Sequence, residues 1–236
     1  MRYSGGKEKI AGRVAAVLQP YVDQAGAYCE PFLGGASVFA RIKAPIKYGS
    51  DANPWLICYW QALLAGWEPP TEVSDELYAR VKAEKPMHPI TAFIGFGCSF
   101  GGKWFGGPAR DSEGKNYAEI ASRSSAKRVA GFGNATLTHA PYDQCPIPPG
   151  AVIYCDPPYA GTLGYGAVGD FDSSAFWEAV RRAERAGHPV FVSEYTAPDD
   201  FEIVAEFAKK VTMSKANGYV DKGEKLFRLF KLDTYR

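Results

Sequence analysis

Short apolar runs of strand length recur along this chain, separated by stretches in helical spacing. That alternation limits the fold more than any other feature. Strands are predicted at the start of 27-AYCEPFLGGAS-37 and of 46-IKYGSDANP-54, then at 134-NATLTHAPYD-143, 151-AVIYC-155 and 189-PVFVSE-194. Helical spacing covers 8–19 through Ile10, Val14, Val17 and Leu18, and 55–65 through Leu56, Trp60, Leu63 and Leu64. Further helices are predicted near 117–130, over 174–186 behind Asp172-Ser173-Ser174, and near 199–209 through Phe201, Val204, Ala205 and Ala208. Pro20, Gly66 and Gly187 stand where three of these helices should stop. The last segment, 210–232, reads as two antiparallel strands around Asn217-Gly218 and Lys222-Gly223. Strands alternating with helices predict an α/β fold with a mostly parallel sheet, and the closing pair adds an antiparallel C-terminal edge.

The middle of the chain departs from this rhythm. Residues 54–133 carry Pro69-Pro70, a glycine- and aromatic-rich run and a polar helix, so they read as an insertion, with 1–53 and 134–236 forming one domain around it. A length of 236 residues suits one large domain with such an insertion. No apolar stretch reaches the ~18 residues of a membrane span, and 1-MRYSGGKEKIAGR-13 has no apolar core for a signal sequence. The expected location is therefore cytoplasmic, with no membrane partner. Cys29, Cys58, Cys98, Cys145 and Cys155 are odd in number and form no C-x-x-C pair, and His88, His139 and His188 share no ligand spacing. Reduced thiols and no metal are expected. The net charge is +1, but six basic residues face three acids between Gly101 and Gly133, and seven face three between Ala205 and Lys231. These regions permit a polyanionic partner without requiring one.

Two strand ends carry chemistry. After the first strand, Glu30-Pro31-Phe32-Leu33-Gly34-Gly35-Ala36-Ser37 lets the backbone approach a ligand and opens a helix start, while Asp51 closes the next strand where an acid can bind ribose hydroxyls. The turn lacks G-x-G-x-x-G and a P-loop lysine, so a nucleoside without a phosphate grip suits it better, and S-adenosylmethionine is such a ligand. The fourth predicted strand runs straight into Asp156-Pro157-Pro158-Tyr159. An exocyclic amine such as adenine N6 is a poor nucleophile because its lone pair is delocalised. The Asp156 carboxylate and the Pro157 carbonyl can accept its N–H bonds, two prolines hold those acceptors rigid, and Tyr159 offers a face for a base. Stacking of that kind is worth about 1–3 kcal/mol, against a few kcal/mol for extruding a base from a duplex.

The order YSGGK (3–7), EPFLGGAS (30–37), SDAN (50–53), a variable middle and IYCDPPY (153–159) resembles the Dam-like DNA adenine-N6 methyltransferases of the alpha group. The stretches 158-PYAGTLGYG-166, 171-FDSSAFW-177 and 193-SEYTAPDDF-201 look especially like phage and prophage members. The resemblance spans nearly the whole chain. It implies an S-adenosylmethionine-dependent enzyme on a Rossmann-like sheet, with a largely helical and loop target-recognition domain inserted before the DPPY strand. By position, it implies that Tyr3, Lys7, Glu30, Phe32, Gly34, Asp51 and Asp156 bind the cofactor, while Asp156, Pro157, Pro158 and Tyr159 form the catalytic tetrapeptide. Two points depart from the family pattern or resist alignment. Ala36 replaces a family glycine and its methyl should crowd the pocket, and either Tyr142 or Asp143 holds the contact that follows the third strand.

Within 93-FIGFGCSFGGKWFGGPAR-110, aromatic and basic residues on a flexible backbone suit a loop or hairpin following a DNA groove. Lys103, Trp104, Arg110 and Lys115 are the candidate contacts to double-stranded DNA, although some of these aromatics also suit a small satellite core. Cytosine-N4 methylation, or a DNA-binding module without catalysis, are the alternatives. The motif order and an intact set of Lys7, Asp51, Asp156 and Tyr159 favour adenine and an active enzyme. A monomer is compatible with all of this.

Overall fold

The computed structural model describes residues 1–158, 171–207 and 223–230. Among them, seven strands form one sheet in the order β3-β2-β1-β4-β5-β7-β6. These are β1 (Ala27–Glu30), β2 (Ile46–Asp51), β3 (Thr136–His139), β4 (Val152–Cys155), β5 (Val190–Glu194), β6 (Phe201–Phe207) and β7 (Glu224–Leu229). The pairs among β1 to β5 are parallel, and β7 lies antiparallel to both β5 and β6. The order reverses between β1 and β4. The crevice at the carboxyl ends of those two strands is where an open α/β sheet takes its ligand.

The pleat sorts the two faces. Tyr28, Val152 and Tyr154 belong to one buried cluster with Val14, Leu18 and Val22 of α1 (Ala11–Ala25). Their chain neighbours Cys29, Ile153 and Cys155 belong to another with Phe176, Trp177 and Val180 of α6 (Ser173–Arg185). Asp172 caps α6 by accepting the Ala175 N–H at 2.9 Å, one of the caps expected from the sequence.

Two readings need correction. Pro20 does not end α1, which continues to Ala25 and stops at Gly26 with φ 70. Pro20 and Ala16 both face solvent, so the lost hydrogen bond leaves only a water-exposed carbonyl, while Val22 extends the buried stripe. The second correction is the helix near 199–209, whose Phe201–Phe207 segment is strand β6. Its register on β7 skips from Ile203 to Ala205, and this bulge breaks the period of two that would have marked a strand. The first of the two expected closing strands and the Asn217-Gly218 turn lie outside the described residues. Their second strand is β7.

Between β2 and β3 come α2 (Pro54–Leu64), α3 (Asp75–Glu84), α4 (Pro89–Ala92) running into a π-helical turn at Phe93–Gly97, and α5 (Tyr117–Val129). α2 packs on the sheet: Gln61 donates to the Leu137 carbonyl at 2.9 Å. Tyr78, Phe93, Phe96 and Phe105 of this segment share the α1-side core with Tyr28 and Tyr154. The glycines at 95 and 97 serve packing, since a Cβ on Gly95 would stand 2.5 Å from the Trp104 ring. All five cysteines are free thiols. No helix among the described residues is long and apolar enough to cross a membrane, and none of their side chains form a metal-binding group.

Candidate active site

The carboxyl edge of the sheet collects acids from three of its parallel strands. Glu30 closes β1, Asp51 closes β2 and Asp156 follows β4. They line a cleft of about 320 Å³ together with Tyr3, Lys7, Phe32, Gly34, Gly35, Ala36, Tyr142, Pro158, Phe171 and Asp172. The expected cofactor residues Tyr3, Lys7, Glu30, Phe32, Gly34, Asp51 and Asp156 all stand on this cleft. Pro157 is buried behind it, and Tyr159 lies outside the described residues.

The glycine turn is held from several sides. The Leu33 N–H reaches the Ser50 carbonyl at 2.9 Å and the Gly34 N–H reaches Asp51 Oδ2 at 2.8 Å. Asp51 Oδ1 accepts the Asn53 N–H at 2.8 Å, so this acid fixes two loops while facing the cleft. Burial pushes its pKa up to about 6, against the two backbone donors that favour the anion. From α2, Trp60 Nε1 donates to the Gly34 carbonyl at 3.0 Å. From α5, buried Arg128 donates to the Gly35 carbonyl at 2.6 Å and to the Met1 carbonyl at 3.0 Å, and it also pairs with Glu8. Gly34 has φ 44, and a Cβ there would lie 2.9 Å from Tyr3 Cε1. On Gly35 a Cβ would lie 2.9 Å from Tyr3 Cβ. The two glycines therefore serve as a bed for Tyr3, whose ring also meets Phe96 at 4.9 Å. Ala36 has φ 53 and is buried, so the residue that departs from the family pattern carries a backbone cost of about 1 kcal/mol besides any crowding.

Glu30 is enclosed, and Tyr28 donates its hydroxyl to Glu30 Oε1 at 2.5 Å. Burial raises the Glu30 pKa to about 8, with Asp156 adding to the rise and Tyr28 and Lys47 opposing it. Folding therefore binds a proton here that the unfolded chain has released. The Glu30 contribution is neutral below about 4.5 and becomes increasingly unfavourable as pH rises to about 8. Burial moves Lys47 down to about 8, so that group acts with the opposite sign, and only above that pH. Glu30→Gln keeps an acceptor for Tyr28 and removes the titration. Thermal unfolding of the cofactor-free variant should match wild type near pH 5 and exceed it by several degrees at pH 8. Parallel curves across that range would contradict the assignment.

Lys7 is buried against the acids, with Nζ 2.6 Å from Asp156 Oδ1 and 3.4 Å from Glu224 Oε1. On the far side of the cleft, the Phe32 and Tyr142 rings stack at 5.4 Å and 19°, with Phe171 and Phe176 edge-on. Of the two residues left open after the third strand, Tyr142 lines the cleft and Asp143 does not.

Residues 3–89 match the family model described as D12 class N6 adenine-specific DNA methyltransferase. Over these residues, fewer than half of the chain, the sequence is similar to that family. Its reaction is transfer of a methyl group from S-adenosylmethionine to adenine N6 in DNA, which agrees with the reading of the motifs. No curated protein matches the chain. The cleft of this methyltransferase suits its cofactor on chemical grounds. With Glu30 held largely protonated at neutral pH, Asp51, Asp156 and Asp172 against one lysine favour a ligand bearing sulfonium and ammonium charges, and the stacked Phe32–Tyr142 pair offers an apolar face for a purine.

The expected DNA residues sit apart from the cleft, on the segment between β2 and β3. A loop from Cys98 to Ala109 closes through Phe100 N–H to Gly107 O at 2.8 Å and Ala109 N–H to Cys98 O at 2.8 Å. It touches the active-site segment where the Ser4 N–H meets the Gly102 carbonyl at 2.9 Å. Lys103 is exposed on it. Trp104 is packed against Phe96, Phe105 and Trp55, as the satellite-core reading foresaw for part of this run. Arg110 pairs with Asp75, and Lys115 pairs with Asp111 and Glu113. Sequence reasoning passed over two residues. Phe100 is 64% exposed beside Lys103, which only the folded loop reveals. Glu224 reaches the active site because β7 runs antiparallel.

Proposed function

We propose that the cleft divides into two subsites. Tyr3, Glu30, Phe32, Gly34 and Asp51 hold S-adenosylmethionine, with Asp51 accepting from its ribose hydroxyls and Tyr142 facing its base. Lys7 and Asp156 stand at the junction with the second subsite, where Asp156, Pro157, Pro158 and Tyr159 hold the extruded adenine. The cofactor supplies an electrophilic methyl group on sulfur. The protein's task is to make N6 a better nucleophile. Asp156 and the Pro157 carbonyl accept the amine N–H bonds, allow the nitrogen to leave the plane of the ring, and Asp156 takes the proton that must depart. The observation that carries this reading is the placement of Asp156 beside Lys7 at the switch point of the sheet, on the same cleft as Glu30 and Asp51.

We further propose that residues 54–133 carry the reader of double-stranded DNA, with the loop at 98–109 as its tip. Lys103 and Phe100 project there, and the pairs of Arg110 and Lys115 are surface pairs that phosphates can replace at little cost. The enzyme acts as a monomer in the compartment that holds DNA, the cytoplasm. Phe100→Ala with Lys103→Ala should weaken duplex binding about tenfold, flatten the salt dependence by about one phosphate contact, and leave cofactor affinity unchanged. Duplex affinity equal to wild type across a salt titration would remove this loop from the interface.

A further inference from the structure

Glu224 opens β7, and the antiparallel course of that strand brings it to the edge where β5 ends, with Lys225 opposite Glu194. Its side chain is 9% exposed and Oε1 is buried with no hydrogen bond among the described residues, facing the Lys7 ammonium at 3.4 Å. An acid in such a place weakens a fold compared with a neutral residue of the same shape. Its position relative to Asp156 gives it a use. The Lys7 ammonium is shared by the two carboxylates, 2.6 Å from Asp156 and 3.4 Å from Glu224.

An ammonium paired with Asp156 alone would occupy a lone pair of that carboxylate and lower its affinity for a proton. A second carboxylate on the same ammonium acts in the opposite direction, by attracting Lys7 and by adding negative charge nearby. We propose that Glu224 is a positioning residue for methyl transfer, drawing the Lys7 ammonium towards itself so that Asp156 keeps acceptor capacity for the adenine amine. This rests on the reading of Asp156 as the group that accepts the N6 proton. The other groups around Asp156 come from every neighbouring strand. Glu30 and Tyr28 stand on β1, Tyr154 on β4 with its hydroxyl 2.8 Å from Ser193 Oγ of β5, and Lys47 on β2 acts through Glu30. None of these contacts is altered by changing Glu224 to its neutral isostere.

The test is Glu224→Gln in the full chain. The Asp156 carboxyl is followed by carbon NMR against pH in the cofactor-free protein, and single-turnover methylation of a duplex is measured beside thermal unfolding. The Asp156 titration should move down by about one pH unit, and the methylation rate should fall about tenfold with the unfolding midpoint unchanged or higher. An unmoved Asp156 titration overturns the proposal, whether the rate is retained or falls together with stability, because either result leaves Glu224 a packing role only. If wild-type protein methylates no adenine, the underlying reading fails, whereas methylation by wild type at a rate that Glu224→Gln equals removes this inference alone.

Discussion

Replacing Asp156 with alanine should lower the methylation rate at least a thousandfold, by about 4 kcal/mol of transition-state stabilisation, with duplex affinity close to wild type. The carboxylate is the one charged acceptor of the tetrapeptide, and it lies 2.6 Å from Lys7 on the cleft. Without it the amine keeps the Pro157 carbonyl but loses the group that removes its proton. DNA affinity should survive because the Phe100–Lys103 loop lies on the insertion and does not use Asp156. Asp156→Asn separates the two jobs of the side chain. It restores an acceptor without basicity, so it should recover binding of the base and little of the rate. Turnover within tenfold of wild type in either variant would place the chemistry elsewhere on the sheet.

Gly34→Ala is the second large effect. The position has φ 44, and the new methyl would stand 2.9 Å from Tyr3 Cε1. The left-handed backbone alone costs about 1–2 kcal/mol. Relief of the clash requires Tyr3 to leave its bed on Gly34 and Gly35 and its contact with Phe96, which deforms the wall of the cofactor cleft. Gly133→Ala is the matching control. It has φ 60, but nothing lies within 4 Å of its added methyl. Both variants should lose similar stability in thermal unfolding. Only Gly34→Ala should lose cofactor affinity, by a factor of about 10 to 100, as read by calorimetry. Equal affinities in the two variants would mean that Tyr3 is no part of the cofactor site.

Much of this arrangement could be read from residues close together in the chain. β1, β2, β4 and β5 are short strand-length runs that end on or lead straight into an acid, and each lies where its pattern indicated. Motif order then brought Tyr3, Lys7, Glu30, Asp51 and Asp156 to one edge, because parallel strands put all their carboxyl ends on the same side. What the sequence concealed depended on contacts distant in the chain. β6 hid behind a bulge, since one extra residue at Val204 turns a period of two into something closer to helical spacing. Arg128 read as part of a basic stretch, yet it is buried and holds the Gly35 carbonyl from 93 residues away. Trp104 read as a DNA contact or part of a small core, and its ring packs with Phe96 and Phe105. Glu224 had no local signature at all, because its meaning depends on the direction of its strand.

The central claim is that this cleft methylates adenine N6 through Asp156. The most direct measurement incubates wild-type protein and Asp156→Ala with methyl-labelled S-adenosylmethionine and duplex DNA, digests the DNA and identifies the labelled nucleoside. The account predicts label in N6-methyladenine with wild type and none with the variant. Label in N4-methylcytosine, or equal label from both proteins, would contradict it.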